Sequence, residues 1–169
     1  MSTRYLLPLA AVALAFAAGS PLHAQSSAAN VSSADQSFLQ KASADGATEV
    51  ALGQQAQQRA QSGPAKEMAQ QLVTDHTKAN QELADLAMRK HVDVSTQPDA
   101  AALAKEKSWS SGAYDHAYAD TMVKDHHKAI ALFTQASKSN DADIRQFAQT
   151  TLPVLKQHLS MAESLEKNP

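Results

Sequence analysis

The sequence contains no cysteine among its 169 residues, and it has few glycines and few aromatic residues. The absence of cysteine excludes a disulfide scaffold, a thiolate zinc site, an iron–sulfur cluster and a cysteine nucleophile. Only five glycines and 5% aromatic residues disfavour a β-sheet protein, whereas abundant alanine and glutamine favour helices. The formal net charge of −2 provides no basic surface for nucleic acid. The length predicts a single domain.

The N-terminal segment has the features of a secretory signal peptide. Arg4 supplies the positive charge, an almost continuous apolar run follows, and Ala24 provides a small residue at a cleavage position. The apolar run of about 13 residues is too short for a bilayer-spanning helix, which disfavours an uncleaved membrane anchor. We therefore predict a Sec-type signal peptide over residues 1–24, export to the periplasm or the exterior, and no membrane insertion after cleavage.

The remaining chain divides into a leader and four long helical segments. Residues 25–32 are predicted to form a flexible leader, and the domain is predicted over residues 33–167. Polar and glycine- or proline-containing breaks separate the first helix from the second and the third from the fourth. Because these two connections are short, each pair of helices should form an antiparallel hairpin. The predicted long helices cover residues 33–61, 64–91, 113–137 and 141–167, with a short helix near 99–107.

The connection over residues 92–112 decides the topology. About 20 residues can run the length of a bundle when extended, at up to about 3.3 Å per residue. A crossover of this kind between two hairpins is the ferritin-like arrangement, whereas an up-down-up-down bundle would have a merely long middle loop. We predict an all-α, ferritin-like four-helix bundle with this crossover, because long structureless loops are uncommon within compact domains.

Each long helix carries an apolar stripe at spacings of three and four residues, and each stripe contains one ionisable residue. In the crossover layout, the heights of these four residues along the bundle axis differ by at most about five residues, or roughly 7 Å. In the up-down-up-down layout the difference is about six residues, so the four residues lie at a similar height in either case. In the stripe of the first helix, Asp45 fits the three- and four-residue spacing as well as Gly46 does. We predict that Gly46 faces the core, because aspartates usually face solvent. The four ionisable residues are Glu49, His76, His126 and His158.

This layer predicts either a metal centre or a buried hydrogen-bond network. Imidazoles and one carboxylate are good ligands for zinc, copper or iron, so the layer would hold one divalent ion. Asp75 and Asp125 each precede a histidine, and since adjacent residues face apart on a helix, each is predicted to orient a histidine of a neighbouring helix. In the alternative, Glu49 accepts hydrogen bonds from the histidines and the protein is a non-catalytic structural or stress-related envelope protein.

No catalytic motif accompanies the layer, so an enzyme is the less favoured hypothesis. The residue three positions before each stripe histidine is apolar, which excludes the Glu-x-x-His pairs of di-iron centres. The chain has no glycine-rich phosphate loop, Gly-x-Ser-x-Gly elbow or His-Glu-x-x-His motif. We assign His127 and the pair Asp115 and His116 to the surface, and we assign Tyr114 and Tyr118 to the packed end of the bundle.

Several segments of the sequence together form a recognisable combination. They are Asp35-Gln-Ser-Phe38, Thr48-Glu49-Val-Ala-Leu-Gly53, Asp75-His76-x-Lys-Ala-Asn80, Met122-Val-x-Asp125-His126 and Leu152-Pro153-x-Leu-x-x-His158. Through them the chain resembles, over about residues 33–166, the bacterial domain of unknown function 4142 family, whose members are often labelled outer membrane or exported proteins. The resemblance implies an exported ferritin-like bundle and little about chemistry, since the family lacks an assigned activity. An envelope partner and the oligomeric state stay open.

Overall fold

The computed structural model describes residues 31–168, and the predicted signal peptide lies outside them. Within this range the chain is helical and contains no strand, which confirms the predicted all-α class. The helix ends fall within a few residues of the predicted ones. The elements are α1 (Ser33–Arg59), α2 (Gly63–Arg89), α3 (Ala100–Lys107), a 3-10 turn (Ser111–Ala113), α4 (Tyr114–Ala136) and α5 (Ala142–Lys167).

Short polar side chains determine where most of the helices begin. At the starts of α1, α2, α3 and α5, a serine or aspartate oxygen accepts a hydrogen bond from a first-turn backbone N–H. Pro64 lies in the first turn of α2, where the missing N–H costs nothing. Of the predicted leader, residues 25–30 lie outside the described range. Val31 already packs against the core and Ser32 caps α1, so the end of the leader belongs to the bundle.

Contacts at both ends of the bundle confirm the crossover topology. At one end, the carboxylate of Asp115 at the start of α4 accepts hydrogen bonds from the backbone of Gln61 and Ser62, at 2.9 and 2.8 Å. At the other end, Lys90 Nζ lies 2.7 Å from the carboxylate of Asp141, which precedes α5. The start of α4 is therefore beside the α1–α2 turn, so α2 and α4 run in the same direction and the intervening segment returns along the bundle.

Asp115 corrects one assignment made from the sequence. We placed it on the surface together with His116, but Asp115 is buried because its carboxylate satisfies two backbone donors of the α1–α2 turn. Burial alone would raise the pKa of Asp115; the hydrogen bonds from Gln61 and Ser62 outweigh it and hold the pKa below its usual value. His116 is exposed, as predicted.

The core consists of two apolar clusters, one on each side of the predicted polar layer. The first contains Phe38, Phe133 and Phe147, and the second contains the tyrosines at the start of α4. Tyr114 and Tyr118 are fully buried and stack with ring centroids 6.4 Å apart, which confirms that they pack the bundle end. Among the described residues, no helix combines the length and the apolar character needed to cross a membrane.

Two glycines allow α1 and α2 to pack closely. A Cβ atom at Gly53 would lie 2.7 Å from Val73 Cγ2, and one at Gly46 would overlap the side chain of Asn80. Gly46 is buried whereas Asp45 is accessible to solvent, which confirms the choice of Gly46 as the inward residue. The narrow separation of these two helices brings their polar residues at the layer within contact distance.

Candidate metal centre

The structure brings the four predicted ligands together in one buried layer. Glu49 comes from α1, His76 from α2, His126 from α4 and His158 from α5. Their exposed fractions are 5%, 8%, 0% and 1%, respectively. Each histidine offers one ring nitrogen, and these three nitrogens lie within 4.8 Å of one another. The helical stripes thus placed one ionisable side chain from each long helix at the same height in the bundle.

The Glu49 carboxylate lies near two of the three histidines, His76 and His126. Its Oε2 atom is 3.1 Å from His76 Nε2 and 3.6 Å from His126 Nε2. Burial alone would raise the pKa of Glu49, but the neighbouring histidines, His76 first, outweigh it and lower the pKa. Burial would likewise lower the pKa of His76, and the Glu49 carboxylate reverses that shift and raises it. The layer therefore favours an ionised carboxylate at its centre.

Hydrogen bonds on the outer side fix the orientation of two rings. His126 Nδ1 is 2.9 Å from the Met122 backbone oxygen; because a carbonyl only accepts, Nδ1 carries the hydrogen and the neutral ring presents Nε2 as a lone pair. His158 Nε2 donates to the Asp75 carboxylate at 2.8 Å, which leaves Nδ1 as the inward lone pair. Burial lowers the pKa of His158, although Asp75 opposes the shift, so this ring is held neutral.

Asp75 and Asp125 were both predicted to orient a histidine of a neighbouring helix, and the structure confirms this for Asp75 only. Asp75 on α2 meets His158 on α5, a neighbouring helix, as predicted. Asp125 instead accepts a hydrogen bond from Lys128, one turn along its own helix, at 2.9 Å. Among the described residues, no hydrogen bond joins Asp125 to a histidine. The prediction for Asp125 is therefore corrected: a lysine at spacing i,i+3 on the same face is the nearer partner. His127 is exposed, as predicted.

Four atoms of the layer are buried and have no hydrogen-bond partner. His76 Nε2 and Glu49 Oε2 lie 3.1 Å apart and form an ion pair when His76 is protonated, but neither atom has an aligned hydrogen bond. Buried polar atoms in native proteins are nearly always paired, so a convergent group of four requires an explanation. A cation bound by the three neutral histidine rings beside the Glu49 carboxylate would satisfy these atoms, since each can then present a lone pair. These atoms are Glu49 Oε2, His76 Nε2, His126 Nε2 and His158 Nδ1.

A second buried polar group, which the sequence did not predict, is centred on Glu106 of α3. Glu106 is fully buried, and its carboxylate accepts hydrogen bonds from Arg59 at 3.0 Å and from the hydroxyl of Tyr114. The Arg59 guanidinium also lies 4.6 Å from the centre of the Tyr114 ring. No pattern in the eight residues of α3 indicates this burial, because the partner arginine precedes Glu106 by 47 positions. The group anchors the crossover to α1.

The fold and the layer define a helical-bundle protein with a candidate metal centre. A family model described as a domain of unknown function (DUF4142) matches residues 20–165, and the chain therefore belongs to this family, as the resemblance implied. The crystal structure of a DUF305 fragment from Deinococcus radiodurans is similar with a TM-score of 0.72. That similarity covers 82% of this chain and 99% of the fragment at 10% identity, and it concerns the fold alone. No curated protein matches the chain.

Proposed function

We propose that the protein binds one divalent transition-metal ion in the layer formed by Glu49, His76, His126 and His158. One observation carries the proposal: four buried atoms from four different helices converge without hydrogen-bond partners. An unpaired buried polar atom costs roughly 1–3 kcal/mol, and the Glu49–His76 ion pair would relieve only part of that cost in the layer. A bound cation removes that cost because it accepts all four lone pairs.

The outer hydrogen bonds support this assignment. A metal-binding histidine usually donates its other ring nitrogen to a carboxylate or a backbone oxygen, which fixes the ring and its tautomer. His126 donates to Met122 and His158 donates to Asp75, so both rings already present the correct nitrogen to the layer. Glu49 supplies the negative charge that offsets part of the charge of a dication.

The donor set limits the metal to a few candidates. A chain without cysteine offers no thiolate. Three imidazoles with one carboxylate suit zinc, copper or iron, whereas calcium and magnesium prefer oxygen ligands. We propose metal holding rather than catalysis, since no motif or residue for handling a substrate accompanies the layer. The signal-peptide pattern over residues 1–24 supports a location in the periplasm or outside the cell.

The test is elemental analysis of protein that is exported, purified without a polyhistidine tag and supplied with zinc, copper or iron. We expect one equivalent of metal per chain in the wild type and less than one tenth of that in a His76→Ala/His158→Ala variant. The matched control, His116→Ala/His127→Ala, removes two exposed histidines and should retain the full equivalent. Equal metal in both double variants would disprove the proposal.

The hydrogen-bond network is the second candidate, and the 3.1 Å approach of Glu49 to His76 favours it. In that case the protein is a non-catalytic structural or stress-related envelope protein and binds no stoichiometric metal. Glu49→Gln would then lower the free energy of unfolding by about 1–3 kcal/mol whether or not a chelator is present. If the metal proposal is correct, the effect of Glu49→Gln on unfolding is larger with metal than with chelator.

A further inference from the structure

A cleft between α1 and α4 leads from the surface to Glu49, the carboxylate of the histidine layer. Its volume is about 290 Å³, and the start of α3 forms one wall. Asp45 is accessible to solvent at its rim, whereas Glu49 is buried at its floor. The lining residues are Asp45, Thr48, Glu49, Asp99, Ala102, Asp125, Lys128 and Ala129.

The cleft carries an excess of negative charge. Its lining contains four carboxylates and a single cationic side chain, that of Lys128. The Lys128 side chain is 76% exposed and is held by Asp125 at 2.9 Å, so it neutralises the rim rather than the floor. Partial burial, followed by the charges of Glu49 and Asp125, raises the pKa of Asp45. The carboxylates therefore repel one another across the cleft, and a bound cation would relieve this repulsion.

A second cavity lies beside the cleft. Its volume is about 30 Å³, and its lining is largely apolar but includes His76. Asp45, Glu49 and Ala129 line both spaces, and the Glu49 carboxylate lies 3.1 Å from His76 Nε2, so Glu49 connects the cleft to the histidines. Glu49 has an unpaired buried oxygen at this junction. Carboxylate oxygens are thus available in sequence from the rim to the layer.

We propose that this acidic cleft is the route by which a divalent metal cation reaches the histidine layer, an inference that rests on the proposed metal-binding function. A hydrated dication is attracted to the rim by Asp45 and Asp125. It exchanges water for carboxylate oxygens there, passes to Glu49, and is then bound by the imidazoles. Charge at the mouth of a buried site raises the rate of association, and salt screens the effect.

The experiment is stopped-flow mixing of the metal-free protein with Co²⁺, followed by the visible absorption of the bound ion. We expect Asp45→Asn/Asp125→Asn to bind the same final amount with an association rate constant about tenfold lower at low ionic strength. The difference should shrink in about 0.5 M salt. Lys128→Gln leaves the carboxylates in place and should raise the rate about twofold. The matched control, Glu82→Gln/Asp85→Asn on α2, removes the same charge outside the cleft and should bind at the wild-type rate.

Each outcome decides a different part of the proposal. A double variant that binds Co²⁺ as fast as the wild type would overturn the route and leave the metal site intact. An equal slowing of the α2 control would also overturn it, because the effect would then come from total charge. If the wild-type protein shows no Co²⁺ absorption, the metal-binding function itself fails, and the route fails with it. Slow association confined to the cleft variant, with faster association for Lys128→Gln, supports the route.

Discussion

Asp75 connects two helices through a single histidine ring. Its Oδ2 atom accepts hydrogen bonds from His158 Nε2 and from Gln71 Nε2, each at 2.8 Å. Burial alone would raise the pKa of Asp75, but the hydrogen bonds from Gln71 and His158 outweigh it and lower the pKa. The carboxylate is therefore ionised at neutral pH, and it holds the hydrogen on the outer nitrogen of His158. In this arrangement Asp75 is a positioning residue that contacts no metal.

Replacing Asp75 by alanine should weaken metal binding without abolishing it. We expect the zinc dissociation constant to rise about 10–100-fold while the stoichiometry stays at one, because His158 loses the group that fixes its tautomer. Competition titration against a chelator measures this. The matched control is Asp85→Ala, since Asp85 accepts a hydrogen bond from a glutamine four residues earlier on the same helix but contacts no histidine. Equal affinity of the Asp75 and Asp85 variants would contradict the role.

At the residue scale, the sequence predicted the four members of the layer but not all of their partners. The 3.6-residue helical period places Glu49 and the three histidines on the inward faces, since nearly all the other residues of each stripe are apolar. The predicted partner of Asp125 was wrong. Helical spacing alone does not show whether Asp125 pairs with a histidine on a neighbouring helix or with Lys128 on its own helix, and the structure has the Lys128 pair. Glu106 was missed because its partners, Arg59 and Tyr114, lie on other helices.

At the scale of single elements, α1 and α2 pack closely because small residues lie where the two helices touch. Gly53 faces the Val73 side chain and the Ala69 backbone oxygen, and a Cβ atom there would lie 2.7 and 3.3 Å from these groups. Gly63, in contrast, has nothing within 4 Å of the position of an added Cβ. The sequence alone does not predict this close approach, because it depends on the residue that faces Gly53 across the helix contact.

Gly53→Ala should destabilise the protein even though alanine favours helices by about 1 kcal/mol over glycine. We expect a net loss of about 1–3 kcal/mol in the free energy of unfolding, because the added methyl group overlaps Val73 and the backbone oxygen cannot move freely. Urea denaturation measures it. Gly63→Ala is the control and should be neutral, and Val73→Ala should rescue part of the loss in the Gly53→Ala background. A Gly53→Ala protein as stable as the wild type would refute the close packing.

At the scale of the whole molecule, two contacts hold the C-terminal end of the crossover against the end of α1 and the α1–α2 turn. The Glu106 group ties α3 to α1, and Asp115 ties the start of α4 to the α1–α2 turn. The length of the connection allowed a crossover, since about 20 residues can span a bundle, and the rarity of long structureless loops favoured it over the up-down-up-down layout. The sequence could not predict these anchoring contacts, because they join residues about 50 positions apart and show no periodic signal.

Asp115→Asn should destabilise the fold in a pH-dependent manner. The folded-state pKa of Asp115 is lowered, so its contribution is complete above the unfolded-state value of 3.8 and is lost as the pH falls through the folded-state pKa. We expect a loss of about 1–3 kcal/mol at pH 7 that diminishes below pH 3.8. Denaturation at several pH values measures it. Asp120→Asn, which removes only a pair between side chains that are 36% and 64% exposed, should cost less than about 1 kcal/mol. A loss that is independent of pH would contradict this role.

X-ray absorption spectroscopy at the metal edge tests the metal centre most directly. The sample is the protein loaded with one equivalent of zinc or copper and freed of loosely bound metal. We predict outer-shell scattering from three imidazole rings together with one carboxylate oxygen donor, and we predict loss of the imidazole scattering in the His76→Ala/His158→Ala variant. A spectrum with only oxygen donors, or the same imidazole scattering in both proteins, would show that the metal lies elsewhere and would contradict the assignment of the layer as its site.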